Sequence, residues 1–165
     1  MSAFQLRQPT AKPYFVAGAA ILSLIAVTLL FRHHLNEAIP RDWLRLWRYG
    51  SGVALAGLFA FQWALFFARR SKDGARVRRH YKLHKRLGII SLALFLLHAG
   101  TLGYGVMGVV TTGFLIVALT GLFNAEVLQL MPNQLRWARV FVHYAVSAAI
   151  VPFIVLHLWV ALSFK

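Results

Sequence analysis

The chain has 165 residues, 59% of them hydrophobic and only 13% charged, with 18 Lys and Arg against 4 Asp and Glu and a formal net charge of +14. So little charge, with a mean hydropathy of +0.65 and long uninterrupted apolar blocks, excludes an ordinary soluble domain, in which about 25% of residues are charged. The absence of cysteine excludes disulfides, thiolate haem ligation, cysteine-held iron–sulfur clusters and covalent c-type haem attachment.

Read in chain order, the sequence opens on a polar segment, Met1–Pro13. No small-residue cleavage site follows the first apolar block, so that block reads as a retained span and not a removed signal peptide. Five blocks reach the roughly 20 residues that cross a hydrocarbon layer: about 14–31, 49–68, 84–106, 107–125 and 138–164. The third is apolar from Leu87, with a helical extension back toward His80. Backbone groups in lipid must be satisfied within the segment, so these blocks are expected to be helices. The fold expected is an all-α integral membrane protein. About five transmembrane helices would form one haem-binding bundle over 1–165, with no repeat and no second domain.

Between the first two spans, Trp43-Leu44-Arg45-Leu46-Trp47 reads as an interfacial helix. The Gly103-Tyr104-Gly105 stretch predicts a tight antiparallel hairpin between the third and fourth spans. With five spans, the N-terminal tail (Arg7, Lys12), the loop from Arg69 to Arg86 and the loop with Arg136 and Arg139 share one side. They carry most of the basic residues. The positive-inside rule then places the N-terminus in the cytoplasm. It also accounts for the charge without nucleic acid, since anionic headgroups attract the same residues.

Seven histidines punctuate this pattern, and four form a constellation. His84 and His98 stand 14 residues apart in the third span, and His143 and His157 stand 14 apart in the fifth. Fourteen helical residues advance about 1400°, close to a whole number of turns, and rise about 21 Å. Each pair therefore shares a helix face, with one member near each edge of the apolar layer. The two spans run in the same direction, so His84 falls level with His143 and His98 with His157. Two bis-histidine sites result, suited to the axial positions of two haems. A zinc or copper site needs further ligands, and no thiol or carboxylate lies at those depths. A single haem is the second arrangement that the pattern allows.

Gly88, Gly100 and Gly103 give room for a porphyrin edge or for close helix packing. Arg86 and Arg139 are the candidate partners of haem propionates. His80 lies one turn before His84 and competes with it. Pro152 interrupts the backbone bonding between His143 and His157 and is expected to kink the last span. His33 and His34 read as solvated, Gln62 as interhelical glue, and Asn124 and Glu126 as interfacial.

The segment His84-Lys-Arg-Leu-Gly-Ile…His98, followed by Trp137…His143…His157, resembles the transmembrane haem domain of the ferric reductase and NADPH oxidase superfamily. It is similar also to the membrane haem subunit of the bacterial methionine sulfoxide reductase system. The resemblance covers about residues 69–165. It implies a b-type cytochrome of the bacterial cytoplasmic (inner) membrane with two haem b groups on His84, His98, His143 and His157. The chain departs from the family in showing five spans where relatives usually have six. It also lacks room for a flavin and nicotinamide module and has no glycine-rich dinucleotide loop.

The function expected is that of an electron-transfer subunit and not a self-contained enzyme. Electrons pass between a quinone or flavoprotein and a cytochrome or other redox partner, within a larger complex. The alternatives from other classes are a non-haem structural subunit and a histidine-lined metal transporter. The latter would more often show broken helices or inverted repeats.

Overall fold

A computed structural model describes residues 11–31, 41–99, 103–123 and 133–164. Every regular element among them is helical. The elements are α1 (Ala11–Phe31), α2 (Arg41–Gln62), α3 (Ala64–Ala68), α4 (Gly74–His98), α5 (Val106–Leu122), α6 (Asn133–Ala149) and α7 (Val151–Ser163). α2 with α3, and α6 with α7, form two long interrupted rods, so the described residues make five helical rods. Two of them, Arg45–Ala68 and Gln134–Ser163, are long and apolar enough to cross a membrane, and two shorter apolar helices cover Phe15–Thr28 and Val106–Leu122.

The two interruptions have different causes. At Ile150 the cause is in the sequence. Pro152 stands in the first turn of α7 and has no N–H to bond the carbonyl of Ala148. The backbone otherwise continues through Ile150 N to Val146 O (3.0 Å) and Ile154 N to Ile150 O (2.9 Å). At Trp63 there is neither glycine nor proline. The turn tightens there, with Trp63 N bonding Ala60 O at 3.2 Å, the three-residue spacing of a 3₁₀ turn.

Side-chain contacts fix the order of the rods. Phe15 meets Phe123 and Gly18 meets Leu122 and Ile89. α1 therefore runs antiparallel to α5 and parallel to α4. Gly52 lies against His98, and Gly88 lies near Gln62, so α2 is antiparallel to α4. Gly121 lies against His143 and Gly113 against Ile150, so α5 is antiparallel to the α6–α7 rod. The result is an up-and-down bundle in which α4 and α6–α7 point the same way. At one end the phenol of Tyr49 ties α2 to α7 by donating to Ala161 O at 2.9 Å.

The core is thin. Ile25, Leu92, Phe95 and Phe114 form its centre, with the Phe95 and Phe114 rings stacked at 4.5 Å and 15°. Large apolar side chains cover the outside, among them Trp43, Leu46, Phe67, Trp137, Phe141 and Trp159.

Several expected boundaries move. Trp43 to Trp47 are the first turns of α2 and not a separate helix. α4 starts earlier and stops earlier than the apolar block. It begins at Gly74 because Asp73 caps it, its carboxylate accepting from Ala75 N (2.8 Å) and Arg76 N (3.1 Å). It ends at His98, with Ala99 already extended. Gly103 and Gly105 have φ of 69° and 56°. This left-handed backbone suits residues without a Cβ, as the expected tight connection into α5 requires. His33, His34, Gly100, Asn124 and Glu126 lie outside the described residues.

Candidate functional site

The single helix α4 and the jointed α6–α7 rod each present two histidines to the other. The ring centres of His84 and His143 are 6.1 Å apart, and those of His98 and His157 are 6.3 Å apart. The level pairing expected from the spacing is therefore the pairing found. His84 and not His80 faces His143, and the Pro152 interruption does not separate His157 from His98.

These distances have chemical content. A metal–imidazole bond is about 2.0–2.1 Å, and a ring centre lies about 1.1 Å behind its ligating nitrogen, so two imidazoles trans on one ion have centres roughly 6.2 Å apart. Both pairs match that separation. Among the described residues, no group of three or more His, Cys, Asp or Glu is placed to hold a metal ion. The donor set is two imidazoles at each level, as a haem iron with two axial ligands requires and a tetrahedral zinc site does not.

Two of the four rings are held by the same local device on two different helices. His98 Nδ1 lies 3.1 Å from Arg48 O and 3.2 Å from Ser51 Oγ, while Ser51 Oγ donates to Trp47 O at 2.7 Å. His143 Nδ1 lies 3.1 Å from Val117 O and 3.0 Å from Thr120 Oγ1, while Thr120 Oγ1 donates to Ile116 O at 2.8 Å. In each case the hydroxyl spends its proton on the backbone four residues back, so both oxygens facing Nδ1 are acceptors. The proton of the neutral imidazole therefore sits on Nδ1 and the lone pair on Nε2. This is the tautomer that a metal on Nε2 needs, fixed by an outer hydrogen bond as metal-ligating histidines usually are.

The next residue on each helix is glycine. A Cβ at Gly52 would lie 2.8 Å from His98 Cε1, and one at Gly121 would lie 3.3 Å from His143 Cε1. The hydroxyl–glycine pairs Ser51-Gly52 and Thr120-Gly121 thus seat one ring each. Sequence reasoning singled out Gly88, Gly100 and Gly103 and missed both clamps. The legible signal was a hydroxyl residue followed by glycine on a helix neighbouring each histidine rod.

A cavity of about 460 Å³ adjoins the first pair, within the range of small-molecule and cofactor sites. His84, His143, Gln62, Gly88 and Gly121 line it. Arg69, Lys85 and Arg139 also line it. Arg139 is one turn before His143, on the same face, and donates to Thr120 O at 2.8 Å. Arg69 donates to the phenol of Tyr144. Arg86 is exposed and does not line the cavity. Two positions beyond His84 is about 200° around the helix, so Arg86 points away, and Lys85 and Arg69 stand where Arg86 was expected. Ser91, also lining the cavity, is 6% exposed, and its hydroxyl has no hydrogen-bond partner among the described residues.

Compared with known proteins, the chain matches no family model, no curated protein and no solved structure.

Proposed function

We propose that this chain is a membrane-embedded electron-transfer protein in which His84 with His143, and His98 with His157, hold two b-type haems. The observation that carries the reading is the pair of ring separations, 6.1 and 6.3 Å, each matching trans imidazoles on one ion. They recur on one face of one helix at two levels about 21 Å apart. The Nδ1 clamps on His98 and His143, the cavity beside the first pair and the three cations that line it support the same reading. Arg69, Lys85 and Arg139 are the proposed propionate partners.

Membrane embedding is supported by the surface. A soluble protein rarely exposes contiguous large apolar patches, whereas Trp43, Leu46, Phe67, Phe141 and Trp159 are all exposed here. Lipid contact makes such a surface favourable. On this reading the basic end, with Arg69, Arg70 and the charged first turns of α4, faces the cytoplasm of a bacterial inner membrane.

Each bound haem would supply a one-electron couple. The chain's own part is to fix the imidazoles, exclude water and set the local polarity. With two imidazoles holding each iron, no coordination position would stay open for a substrate. The donor and acceptor are therefore external: a quinone or flavoprotein on one side and a cytochrome or other redox partner on the other. A reduced-minus-oxidised absorption spectrum of the purified chain tests the reading. Soret and α bands of a low-spin b-type haem at two haems per chain are expected, and a spectrum without them refutes it.

A further inference from the structure

The densest charge on the molecule lies at the start of α4. Arg76, Arg78, Arg79 and Lys82 are exposed there, beside Arg70 and Lys72 in the turn that leads into the helix. Asp73 is the only carboxylate among the described residues of this end, and it accepts from the backbone of Ala75 and Arg76. The helix itself gains nothing from these cations. They sit at its positive pole. Arg76 with Arg79, and Arg78 with Lys82, are three or four residues apart, where like charges repel.

Lipid headgroups account for only part of this charge. Phe141, 72% exposed, marks the edge of the apolar surface on the α6–α7 rod. It lies two residues before His143, which pairs with His84, so it is level with Lys82. Gly74 is eight residues beyond Lys82, about 12 Å at 1.5 Å per residue. On the membrane reading above, the headgroup layer is only about 5–7 Å deep on each side. The first turns of α4 therefore project past the headgroups into water. Their side chains lean further out, because helical side chains point toward the start of their helix. Arg78 has that lean: a Cβ at Gly74 would meet its guanidinium at 3.7 Å.

The patch overlooks one histidine level only. His84 is half a turn past Lys82, and Arg69, Lys85 and Arg139 line the cavity beside it. His98 is at the far end of α4.

We propose that the start of α4 is a docking surface for the acidic face of a soluble redox protein, which exchanges single electrons with the first level. Docking rests on the charge and its reach into water, and the electron exchange rests on the haem reading. Opposite charge brings such a partner to the mouth of the cavity quickly and lets it leave again.

The test uses the full chain in nanodiscs of phosphatidylcholine, which has no net charge. Flavodoxin, an acidic soluble flavoprotein, is the probe and basic cytochrome c the counter-probe. Arg76→Glu, Arg78→Glu and Arg79→Glu are combined in one variant. Acidic residues suit the first turns of a helix, so this variant is expected to fold, and the corresponding triple glutamine variant is measured beside it. At about 10 mM salt, flavodoxin binding is expected to weaken about tenfold in the glutamate variant and less in the glutamine variant. The unaltered chain should lose a similar factor at about 150 mM salt, where the screening length falls from about 30 Å to about 8 Å. Cytochrome c should bind the glutamate variant more tightly than the unaltered chain.

Equal flavodoxin binding by the unaltered chain and the glutamate variant overturns the proposal. A lower content of copurified phosphatidylglycerol in the variant would then assign the charge to headgroups. Tighter binding of a random-sequence RNA than of flavodoxin overturns it in favour of a nucleic acid. Stopped-flow reduction of the haems by reduced flavodoxin should slow about tenfold in the glutamate variant, and an unchanged rate overturns the electron exchange. Charge-dependent binding by a chain that carries no haem leaves the docking surface standing and removes the haem reading alone.

Discussion

The two histidine levels have nearly the same ring separation, yet the bundle reaches it by different means. At the basic end, His143 is clamped by Val117 O and Thr120 of α5, His84 lies against Gln62 of α2, and a cavity lined by Arg69, Lys85 and Arg139 lies beside them. At the opposite end, His98 is clamped by α2 through Arg48 O and Ser51, and the Tyr49 phenol closes α2 onto α7. The hydroxyl clamps sit diagonally: Ser51 meets the α4 histidine at one level and Thr120 the α6–α7 histidine at the other. His84, like both of these, also meets a backbone carbonyl, that of Gln62. Two haems with equal ligands would then differ in potential because their surroundings differ.

The largest expected effect breaks the comparison outright. His84→Ala and His143→Ala should each remove the same haem, and His98→Ala and His157→Ala the other, so each single variant retains one of two haems by haemochrome assay. Loss in any crossed pairing would overturn the levels. Next come the glycines. Gly52→Ala places a methyl within 2.8 Å of the His98 ring and Gly121→Ala places one 3.3 Å from the His143 ring. Gly52→Ala should cost about tenfold in haem retention at its own level, on the scale of altered ligand supports, and Gly121→Ala clearly less. Competition with a haem-accepting apoprotein reads both.

Removing only the hydroxyl leaves the backbone acceptor in place. Ser51→Ala and Thr120→Val should each cost about 1 kcal/mol, one neutral hydrogen bond, at different haems. Equal small effects would establish that the two clamps are equivalent.

The smallest effect lies away from both levels. The backbone N–H groups of Arg76 and Ala75 bond the Asp73 carboxylate and hold its pKa below the ordinary value of 3.8. A depressed carboxyl stabilises the fold above its unfolded pKa and loses that contribution as pH falls through the lower folded value. The first turn of α4 should therefore fray only below about pH 4. Amide exchange at Ala75 and Arg76 should rise there, and in Asp73→Ala at neutral pH, with both haem spectra unchanged.

The histidine levels were legible because helical periodicity is rigid. Fourteen residues return to the same face whatever surrounds them. Four of the rods carry an apolar stretch that marks them, long in Arg45–Ala68 and Gln134–Ser163 and shorter in Phe15–Thr28 and Val106–Leu122, while α4 was found through its apolar second half and its histidines. Boundaries were less so. The apolar run continues past His98, but the helix stops there, short of the glycines that turn the chain at Gly103 and Gly105. At the other end of α4 charge hid a helix that the Asp73 cap begins. The turn at Trp63 has no sequence marker, so nothing signalled that Gln62 would be set against His84 and not simply between helices. Arg86 stands away from the cavity for a simpler reason: two positions past His84 is the far side of the helix, while Arg139, one turn before His143, lines the cavity.

One consequence follows from the interruption before Pro152. Of the two rods that carry the paired histidines, α4 is an unbroken ruler, while the other lacks one backbone bond between its histidines, where Pro152 has no N–H to give. The ruler fixes the vertical spacing of both levels. On the proposed two-haem reading, that single missing bond is the place where a change at one level would be taken up before it reached the other.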